Sequence, residues 1–414
     1  MVGARVQRFG AAPGDRNGPT AGEWPCPRAR GGPSAGEWPE ALVTQGGTMT
    51  RENPLRIAHV LPLYSGDGVD LTGGGERYAV KLAAAMDAEA GADVTLVTFG
   101  PRFQEGTAFG LRHLVLGALP NGQPDNPIPS SPLWRLTGFD LVHAYQFRCV
   151  VSSVLAVTCW SSRTPLVITD LGGGGRSPMN PVHLHRLVPG FTALSEFSRS
   201  LLPEPVRPRT QVLRGGIALE RFPFDPSPRR PHVVQVSRIM PHKGMNYLVE
   251  AAGDDIEVTI AGRVVDTSYY DYLREQARGR NVRFLIDPSD SEVVDLYRDA
   301  AVTVGASVYT DVFGGRWPTS ELLGLPMLES MAVGTPVVCT DVGGMPEYVA
   351  EGVTGFVVPP NDPAAIRDRV LRILGDAGLA ARLGQAGHEH VQQFSWADLA
   401  GRTLAAYRTL GLAA

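Results

Sequence analysis

The sequence predicts an α/β protein built from two doubly wound domains with a cleft between them. From Leu55 onwards, short apolar stretches typical of buried strands alternate with stretches of helical period. The alternation stops at a proline-rich connector, residues 222–231, and then starts again. Short apolar strands that alternate with helices indicate a parallel sheet covered on both faces. A chain of 414 residues is long enough for two such domains, each with its own core.

The first 52 residues differ from the rest in composition. They are rich in Gly, Pro and Arg and contain a near-repeat, Gly18–Pro25 and Gly32–Pro39. A segment of this kind buries too little apolar surface to offset the entropy of the chain. We therefore predict that residues 1–52 are a disordered extension.

The first predicted domain spans residues 53–222. Its strands are predicted at Arg56–Leu61, Val94–Phe99, Leu111–Leu116, Asp140–Ala144, Leu166–Asp170, Thr192–Leu194 and Gln211–Leu213. Helical stretches lie between several of these strands, most clearly at Gly75–Ala90 and Glu196–Leu202.

The second predicted domain spans residues 223–395, and an amphipathic tail helix, Ala397–Leu410, lies in the remaining residues 396–414. Strands are predicted at His232–Ser237, Ile256–Ala261, Val282–Ile286, Ala301–Ala306, Pro336–Cys339 and Gly355–Val358, and helices at Met245–Gly253, Ser268–Arg278, Ser291–Ala300, around Glu329 and at Pro363–Leu374. In such folds a ligand is expected in the cleft between the domains.

Composition excludes several classes of function. The formal net charge of -4 gives no support to nucleic acid as a partner. Cys26, Cys149, Cys159 and Cys339 are scattered and form no CxxC pattern or His/Cys cluster, so we expect no disulfide framework, no metal site and a reducing cytoplasm. The longest apolar run, Val150–Trp160, is far shorter than the ~20 residues of a membrane span.

Two glutamates are the most informative residues. Glu321 and Glu329 are eight positions apart, which places them well out of line on a single helix. They fit together if Glu321 lies in a loop and Glu329 in the following helix, with Gly324 at its entrance. Unpaired N–H groups and the positive end of the helix dipole attract an anion there. Two carboxylates beside an anion site suggest a nucleotide-sugar, whose diphosphate has hydroxyl-bearing groups on both sides.

Two cations lie at the carboxyl edge of the second predicted sheet. Arg238 and Lys243 follow a strand in the segment Ser237–Gly244 and can reach one diphosphate, Arg as a fork and Lys as a point charge. Either residue alone is more simply a solvated charge on a loop. Together with the acidic pair that follows, they favour a binding site.

Glycine-rich loops are ambiguous. Gly74 and Gly75 lie in a loop that precedes a helix, and this loop either closes over a ligand or is a plain turn. The four glycines after Asp170 form either a mobile active-site loop or a flexible connector. His143, predicted at a strand end that faces the cleft, is either a hydrogen-bonding or acid/base residue or a structural one. Glu347 either hydrogen-bonds to the backbone at the paired glycines Gly343 and Gly344 or only favours the helix start, and we interpret it as structural with a modest binding role.

Taken in order, these segments resemble one family, the GT-B-fold retaining glycosyltransferases of family 4. The matching segments are Gly73–Arg77, Ala193–Ser198, Val212–Phe222, Val236–Gly244, the stretch from Glu321 to Glu329, Gly343–Glu347, Gly352–Pro360 and Phe394–Trp396. The resemblance covers about residues 55–410. The Arg/Lys pair with the spaced glutamates is specific to this kind of family, whereas the glycine turns alone are not.

The resemblance implies roles for individual residues. Arg238 and Lys243 would hold the donor diphosphate, and the backbone amides of Gly324 and Leu325 would complete the phosphate site. Glu321 would contact hydroxyls of the donor sugar, and Glu329 those of the ribose. The donor would be a nucleotide-diphosphate sugar bound by the second domain, with no metal and no cofactor.

The resemblance also implies an acceptor bound by the first domain, at Gly74, Gly75, His143 and Asp170. The acceptor would be a sugar, a lipid-linked glycan or a small metabolite, and two charges on an early helix allow a weak peripheral contact with the inner membrane face. The tail helix would pack back onto the first domain. One departure is Leu171, which stands where the family usually has a histidine, so that Asp170 would take part of that role.

Alternatives remain open at this stage. Another GT-B enzyme, such as an epimerase or a phosphorylase, would bind similar groups. The missing histidine also suits a degenerate subunit that binds a nucleotide-sugar without turning it over.

Overall fold

The computed structural model describes residues 54–64, 74–119, 123–173, 175 and 177–411, all of which belong to one compact unit. The extension predicted at residues 1–52 lies outside the described residues. The described chain forms two sheets. We call the part built on the first sheet the N-lobe and the part built on the second sheet the C-lobe.

The N-lobe sheet has a mainly parallel core. Its strands are β1 (Arg56–Tyr64), β2 (Asp93–Gly100), β3 (Gln104–Ala108), β4 (Leu111–Leu119), β5 (Ile128–Pro129), β6 (Leu141–Tyr145), β7 (Leu166–Asp170), β8 (Gly190–Ala193) and β9 (Thr210–Val212), and its helices are α1 (Gly74–Ala88), α2 (Val150–Ser162) and α3 (Glu196–Ser200). The strand order is β3-β4-β2-β1-β6-β7-β8-β9, with β5 also paired to β4. Among the described strands of this sheet, only β3 and β5 are antiparallel to their neighbour, β4.

The C-lobe sheet is parallel throughout its described pairs. Its strands are β10 (Arg230–Val236), β11 (Glu257–Gly262), β12 (Val282–Ile286), β13 (Ala300–Gly305), β14 (Val337–Thr340) and β15 (Gly355–Val358), and the helices are α4 (Met245–Ala252), α5 (Thr267–Gln276), α6 (Asp290–Asp299), α7 (Leu325–Val333), α8 (Pro363–Leu374), α9 (Ala377–Val391) and α10 (Trp396–Thr409). The strand order is β12-β11-β10-β13-β14-β15.

Both sheets reverse their strand order at one point, between β1 and β6 in the N-lobe and between β10 and β13 in the C-lobe. This is the order of a doubly wound dinucleotide-binding fold, in which ligands bind outside the carboxyl ends of the strands at the reversal. The prediction of two doubly wound domains is confirmed.

The sequence analysis missed four elements. Strands β3 and β5 are short and mostly exposed, so they lack the apolar pattern that marks a buried strand. Helix α2 is apolar on all sides and carries no charged residue, which hides its helical period. Helix α9 is rich in Ala and Gly, so its apolar face is weak.

Helix α10 joins the two lobes. The ring of Trp396 lies 5.3 Å from that of Tyr78 in α1. Tyr78, Met331 of α7 and Tyr407 of α10 belong to one buried apolar cluster. None of the helices in the described part of the chain combines the length and apolarity needed to cross a bilayer.

Candidate active site

Two loops of the C-lobe meet at the point where its strand order reverses. The loop after β10 carries Arg238 and Lys243, and the loop after β13 carries Ser307 and Glu321. Because β10 and β13 are neighbours, their carboxyl ends open onto the same crevice. This explains how residues far apart in the chain form one cluster.

Lys243 is held firmly in its loop. It is 9% exposed, and its carbonyl oxygen accepts a hydrogen bond of 2.8 Å from the buried side chain of Gln235. Gly244 follows with a φ of 61°, and a Cβ there would collide with the carbonyl oxygen of Ala306. A glycine is therefore needed for the two loops to come this close.

Lys243 and Glu321 form the centre of the site. The ammonium group of Lys243 donates to Oε1 of Glu321, and the hydroxyl of Ser307 donates to the same oxygen over 2.7 Å. Burial alone raises the pKa of the Glu321 carboxyl, but the charge and hydrogen bond of Lys243 and the Ser307 hydroxyl outweigh it. The pKa of Glu321 is thus held below its usual value, and the carboxylate is ionised at neutral pH.

Helix α7 begins beside this pair. Its N-cap is Gly324, with a φ of 84°. Pro326 has no N–H group, and the N–H of Met327 donates to the carbonyl oxygen of Gly324 at 3.0 Å. The amides that remain to face an anion are those of Gly324 and Leu325, as the resemblance implied. The predicted arrangement, with Glu321 in a loop and Glu329 within the helix, is confirmed.

A small cavity of about 20 Å³ lies against this helix start. Its lining includes Ser237, Lys243, Ser307, Glu321, Gly324 and Met327. The volume is about that of one water molecule. Lys243 and Gly324, which were predicted to bind phosphate, and Glu321, which was predicted to bind the sugar, therefore line the same small cavity.

Arg238 lies at the rim of the site. Its side chain is exposed, and no carboxylate of the described residues forms an ion pair with it. The pKa of the neighbouring His242 is lowered to about 4, mainly by burial and also by the charges of Lys243 and Arg238, against the opposing effect of Glu321. The side chain of His242 packs on Trp317, with ring centroids 4.6 Å apart. Both cations thus act on one buried imidazole.

Glu329 belongs to a second cluster on the same helix. Its carboxylate accepts a hydrogen bond of 3.0 Å from the hydroxyl of Tyr297. Burial raises the pKa of Glu329, opposed by the Tyr297 hydroxyl and by the charges of Arg221 and Lys81. Lys81 lies on α1, so this carboxylate faces the N-lobe. Glu329 does not line the small cavity beside Lys243.

Glycine loops of the N-lobe approach this region. A Cβ on Gly75 would lie 3.3 Å from the Cβ of Leu171, and one on Gly172 would collide with the side chain of Leu322. Leu322 follows Glu321 in the chain, so the loops after β7 and β13 touch. Gly74 starts α1 and is exposed, with open space around its α-carbon. The position predicted to differ from the family, Leu171, is 8% exposed.

Asp170 supports the loop that follows β7. It is 8% exposed, and its carboxylate accepts a hydrogen bond of 3.1 Å from the N–H of Phe147. Burial raises the pKa of Asp170, while the hydrogen bond from Phe147 opposes this effect. In this arrangement the side chain shapes the end of β7.

His143 does not lie at a strand end facing the cleft, and that part of the prediction is wrong. It sits in the middle of β6 and is fully buried, because β6 runs on to Tyr145. One ring nitrogen is 2.7 Å from the hydroxyl of Tyr407 and the other 2.6 Å from that of Thr169. Burial, with the charge of His59, holds the pKa of His143 well below its usual value. The neutral ring links β6 to α10.

Ser307 was missed in the sequence. Its only signal is its position, a small polar residue two places after the end of β13, at the carboxyl edge of the sheet. Among the described residues, no group of three His, Cys, Asp or Glu side chains is arranged to hold a metal ion.

Two family models match the chain. Glycosyl transferases group 1 matches residues 217–390, and Glycosyltransferase Family 4 matches residues 72–221. The two matches overlap at residues 217–221, and together they cover most of both lobes.

The curated relatives include proteins named as glycosyltransferases and as a sugar-phosphate synthase. The alpha-maltose-1-phosphate synthase of Mycobacterium tuberculosis is 34% identical over 227 residues, 48% of this chain and 56% of the relative. The D-inositol 3-phosphate glycosyltransferase of Corynebacterium efficiens is 33% identical over 188 residues, 42% of this chain and 42% of the relative. The chain thus spans about half the length of the curated relatives it matches.

Solved structures share the fold. A glycosyltransferase from Rickettsia africae has a TM-score of 0.66 at 17% identity, and Anabaena HepE in complex with UDP has a TM-score of 0.65 at 18% identity. Each match covers 86% of this chain and 99% of the other. The fold is that of the GT-B class of glycosyltransferases. Within that class, the chain belongs to the glycosyl transferases group 1.

Proposed function

We propose that this enzyme transfers a sugar from a nucleoside-diphosphate sugar to a hydroxyl group of an acceptor, with retention of configuration and without a metal ion. The observation that carries the proposal is the buried Lys243–Glu321 pair beside the start of α7. A cation and two backbone amides suit a diphosphate, and an adjacent ionised carboxylate suits sugar hydroxyls.

On the donor side, Lys243 and Arg238 neutralise the diphosphate. As the bond between the sugar C1 and the diphosphate oxygen breaks, negative charge grows on that oxygen, next to Lys243 and the amides of Gly324 and Leu325. Glu321 is ionised and so only accepts hydrogen bonds, which fits it to hold donor hydroxyls in place. Glu329, further along α7, contacts the ribose.

Retention requires that the new bond forms on the face from which the diphosphate leaves. We propose that the acceptor oxygen attacks C1 on that face while its proton passes to the departing diphosphate oxygen. The carboxylate oxygen Oε1 of Glu321 already accepts two hydrogen bonds, and Asp170 is buried and bonded to a backbone amide, so neither is well placed as a covalent nucleophile.

The acceptor is proposed to bind to the N-lobe, near Gly74, Gly75 and Asp170. Names of the curated relatives include an inositol 3-phosphate and a phosphatidyl-myo-inositol transferase. A sugar, a polyol phosphate or a lipid-linked glycan is therefore our proposed acceptor class. We further propose that the enzyme acts in the cytoplasm. A lipid acceptor would require a peripheral contact with the membrane.

Product analysis tests this proposal. Purified protein is incubated with UDP-, GDP- and ADP-sugars of α configuration and with glucose 1-phosphate or inositol phosphate, in the presence of EDTA. We expect release of the nucleoside diphosphate and an α-linked product detected by NMR. Glu321→Ala should abolish turnover, while the matched control Glu257→Ala, which breaks an ion pair with Arg230 within the C-lobe, should not. A β-linked product, or binding of donors with no turnover, would overturn the proposal.

A further inference from the structure

Glu347 connects the C-lobe to the N-lobe. It lies in the loop after β14, and its two carboxylate oxygens accept hydrogen bonds of 2.8 Å from the N–H groups of Glu196 and Phe197, the first two residues of α3. These amides have no partner within a helix at this position. Arg214 donates to the same carboxylate at 2.8 Å, and the Glu347 side chain is only 16% exposed.

A second connection lies beside the first. The hydroxyl of Ser195, the N-cap of α3, donates to the carbonyl oxygen of Leu322 at 2.8 Å. The hydroxyl of Tyr348 donates to the carbonyl oxygen of Leu194 at 3.1 Å. Opening of the cleft at α3 would break all of these bonds together.

The same loop supports the backbone of Glu321. The N–H of Gly344 donates to the carbonyl oxygen of Glu321 at 3.0 Å. A Cβ on Gly343 would collide with that oxygen, and one on Gly344 with the carbonyl oxygen of Leu322. The segment Glu321–Leu322 is therefore enclosed between the start of α3 and the loop that carries Glu347.

We propose that Glu347 and Ser195 are positioning residues that couple contact between the lobes to the placement of the Glu321 carboxylate. When α3 docks on Glu347, Ser195 meets Leu322 and fixes the backbone that carries Glu321 beside Lys243. The role of Glu321 in this inference rests on the proposed function, whereas the docking itself is independent of it. Neither Glu347 nor Ser195 needs to touch a substrate.

The energetics favour Glu347 as the main contact. Hydrogen bonds to a charged acceptor are the stronger kind, and this carboxylate receives three while shielded from solvent. Removing it shifts the equilibrium between docked and separated lobes. A protein that is competent only when docked then loses activity in proportion to the lost population.

The test measures docking and turnover separately. Full-length Glu347→Ala is compared with the wild type by small-angle X-ray scattering, with and without UDP, GDP or ADP, and by steady-state kinetics. We expect a larger radius of gyration without nucleotide and a fall in kcat of about tenfold, with a smaller change in nucleotide affinity because the C-lobe alone holds the diphosphate. The conservative variant Glu347→Asp should change the radius of gyration and kcat less than Glu347→Ala does.

Glu257→Ala again serves as the control, because it removes an ion-paired glutamate that does not cross the cleft. If Glu347→Ala matches this control in radius of gyration and kcat and differs only in Tm, the contact is merely structural and the inference fails. If Glu347→Ala does not fold, Arg214→Ala carries the same comparison with both amide bonds left in place, and a smaller change in the same direction is expected. Absence of turnover in the wild type would overturn the proposed function. The scattering data would still show whether Glu347 holds the two lobes together.

Discussion

The hydroxyl of Ser307 donates to Oε1 of Glu321 over 2.7 Å, and the ammonium group of Lys243 donates to the same oxygen. The two donors come from loops on opposite sides of the point where the C-lobe strand order reverses. They keep the Glu321 carboxylate ionised despite its burial. In the proposed function, its other oxygen, Oε2, accepts hydrogen bonds from hydroxyl groups of the donor sugar.

Ser307→Ala should weaken catalysis without abolishing it. One hydrogen bond to a charged acceptor is lost, worth about 1.5 kcal/mol, so kcat/KM for the donor should fall roughly tenfold. Ser330→Ala is the control, because the Ser330 hydroxyl donates to Thr303 at 2.8 Å on the buried side of α7. Steady-state kinetics should show the loss for Ser307→Ala alone. Equal losses in both variants would mean that α7 as a whole had moved.

Lys243→Met should destabilise the fold through Glu321. The two side chains are 11% and 14% exposed, and removing the cation leaves a shielded carboxylate without its partner. Breaking such a pair costs about 3 kcal/mol, whereas removing both charges costs less. Urea unfolding at neutral pH should therefore show that Lys243→Met combined with Glu321→Gln is more stable than Lys243→Met alone. Strictly additive losses would show that the pair does not interact.

The central features of the site were predictable from local sequence. The eight-residue interval between Glu321 and Glu329 excludes a shared helix face, and Gly324 marks where the helix starts, so the loop and helix follow from geometry. Lys243 was predictable as a cation at the carboxyl edge of a strand. These inferences need only one segment of chain at a time.

The remaining features depend on distant partners. The environment of His143 is set by Tyr407, 264 residues later, and strand pattern alone does not reveal that contact. The sequence suggests that Glu347 acts within its own segment, by a hydrogen bond to the backbone there or by favouring the helix start, yet the amides it binds belong to α3, 151 and 150 residues earlier. A carboxylate near a helix start suits either arrangement. Only the contact between the two lobes in the structure distinguishes these arrangements.

His242 should make stability depend on pH. Burial, aided by the charge of Lys243, lowers its pKa to about 4, below the 6.5 of an exposed histidine. Between these values the unfolded chain binds a proton that the folded protein does not, so stability falls as pH drops from 6.5 towards 4. Urea titrations of His242→Asn should show this loss reduced by up to roughly 3 kcal/mol. An unchanged profile for His242→Asn would contradict the prediction.

Glu329→Gln tests the proposed contact between Glu329 and the ribose. The Glu329 carboxylate lies on the α7 face towards Lys81 of the N-lobe and receives the Tyr297 hydroxyl at 3.0 Å. A carboxylate accepts hydrogen bonds from both ribose hydroxyls, whereas the amide of glutamine has one oxygen for them and a nitrogen that only donates. Calorimetry with the nucleoside diphosphate that stabilises the protein most should give a Kd raised about tenfold in Glu329→Gln.

The 2′,3′-dideoxy form of the same nucleotide separates this contact from a general loss of structure. It lacks both hydroxyls, so its Kd should be high and nearly equal for the wild type and Glu329→Gln. Glu257→Gln should bind both nucleotides as the wild type does, because that side chain pairs with Arg230 at the amino ends of β10 and β11, opposite the carboxyl ends that form the site. If Glu329→Gln raises the Kd of both nucleotides by the same factor, Glu329 acts through the packing of α7 against Tyr297 and not through a contact with the ribose.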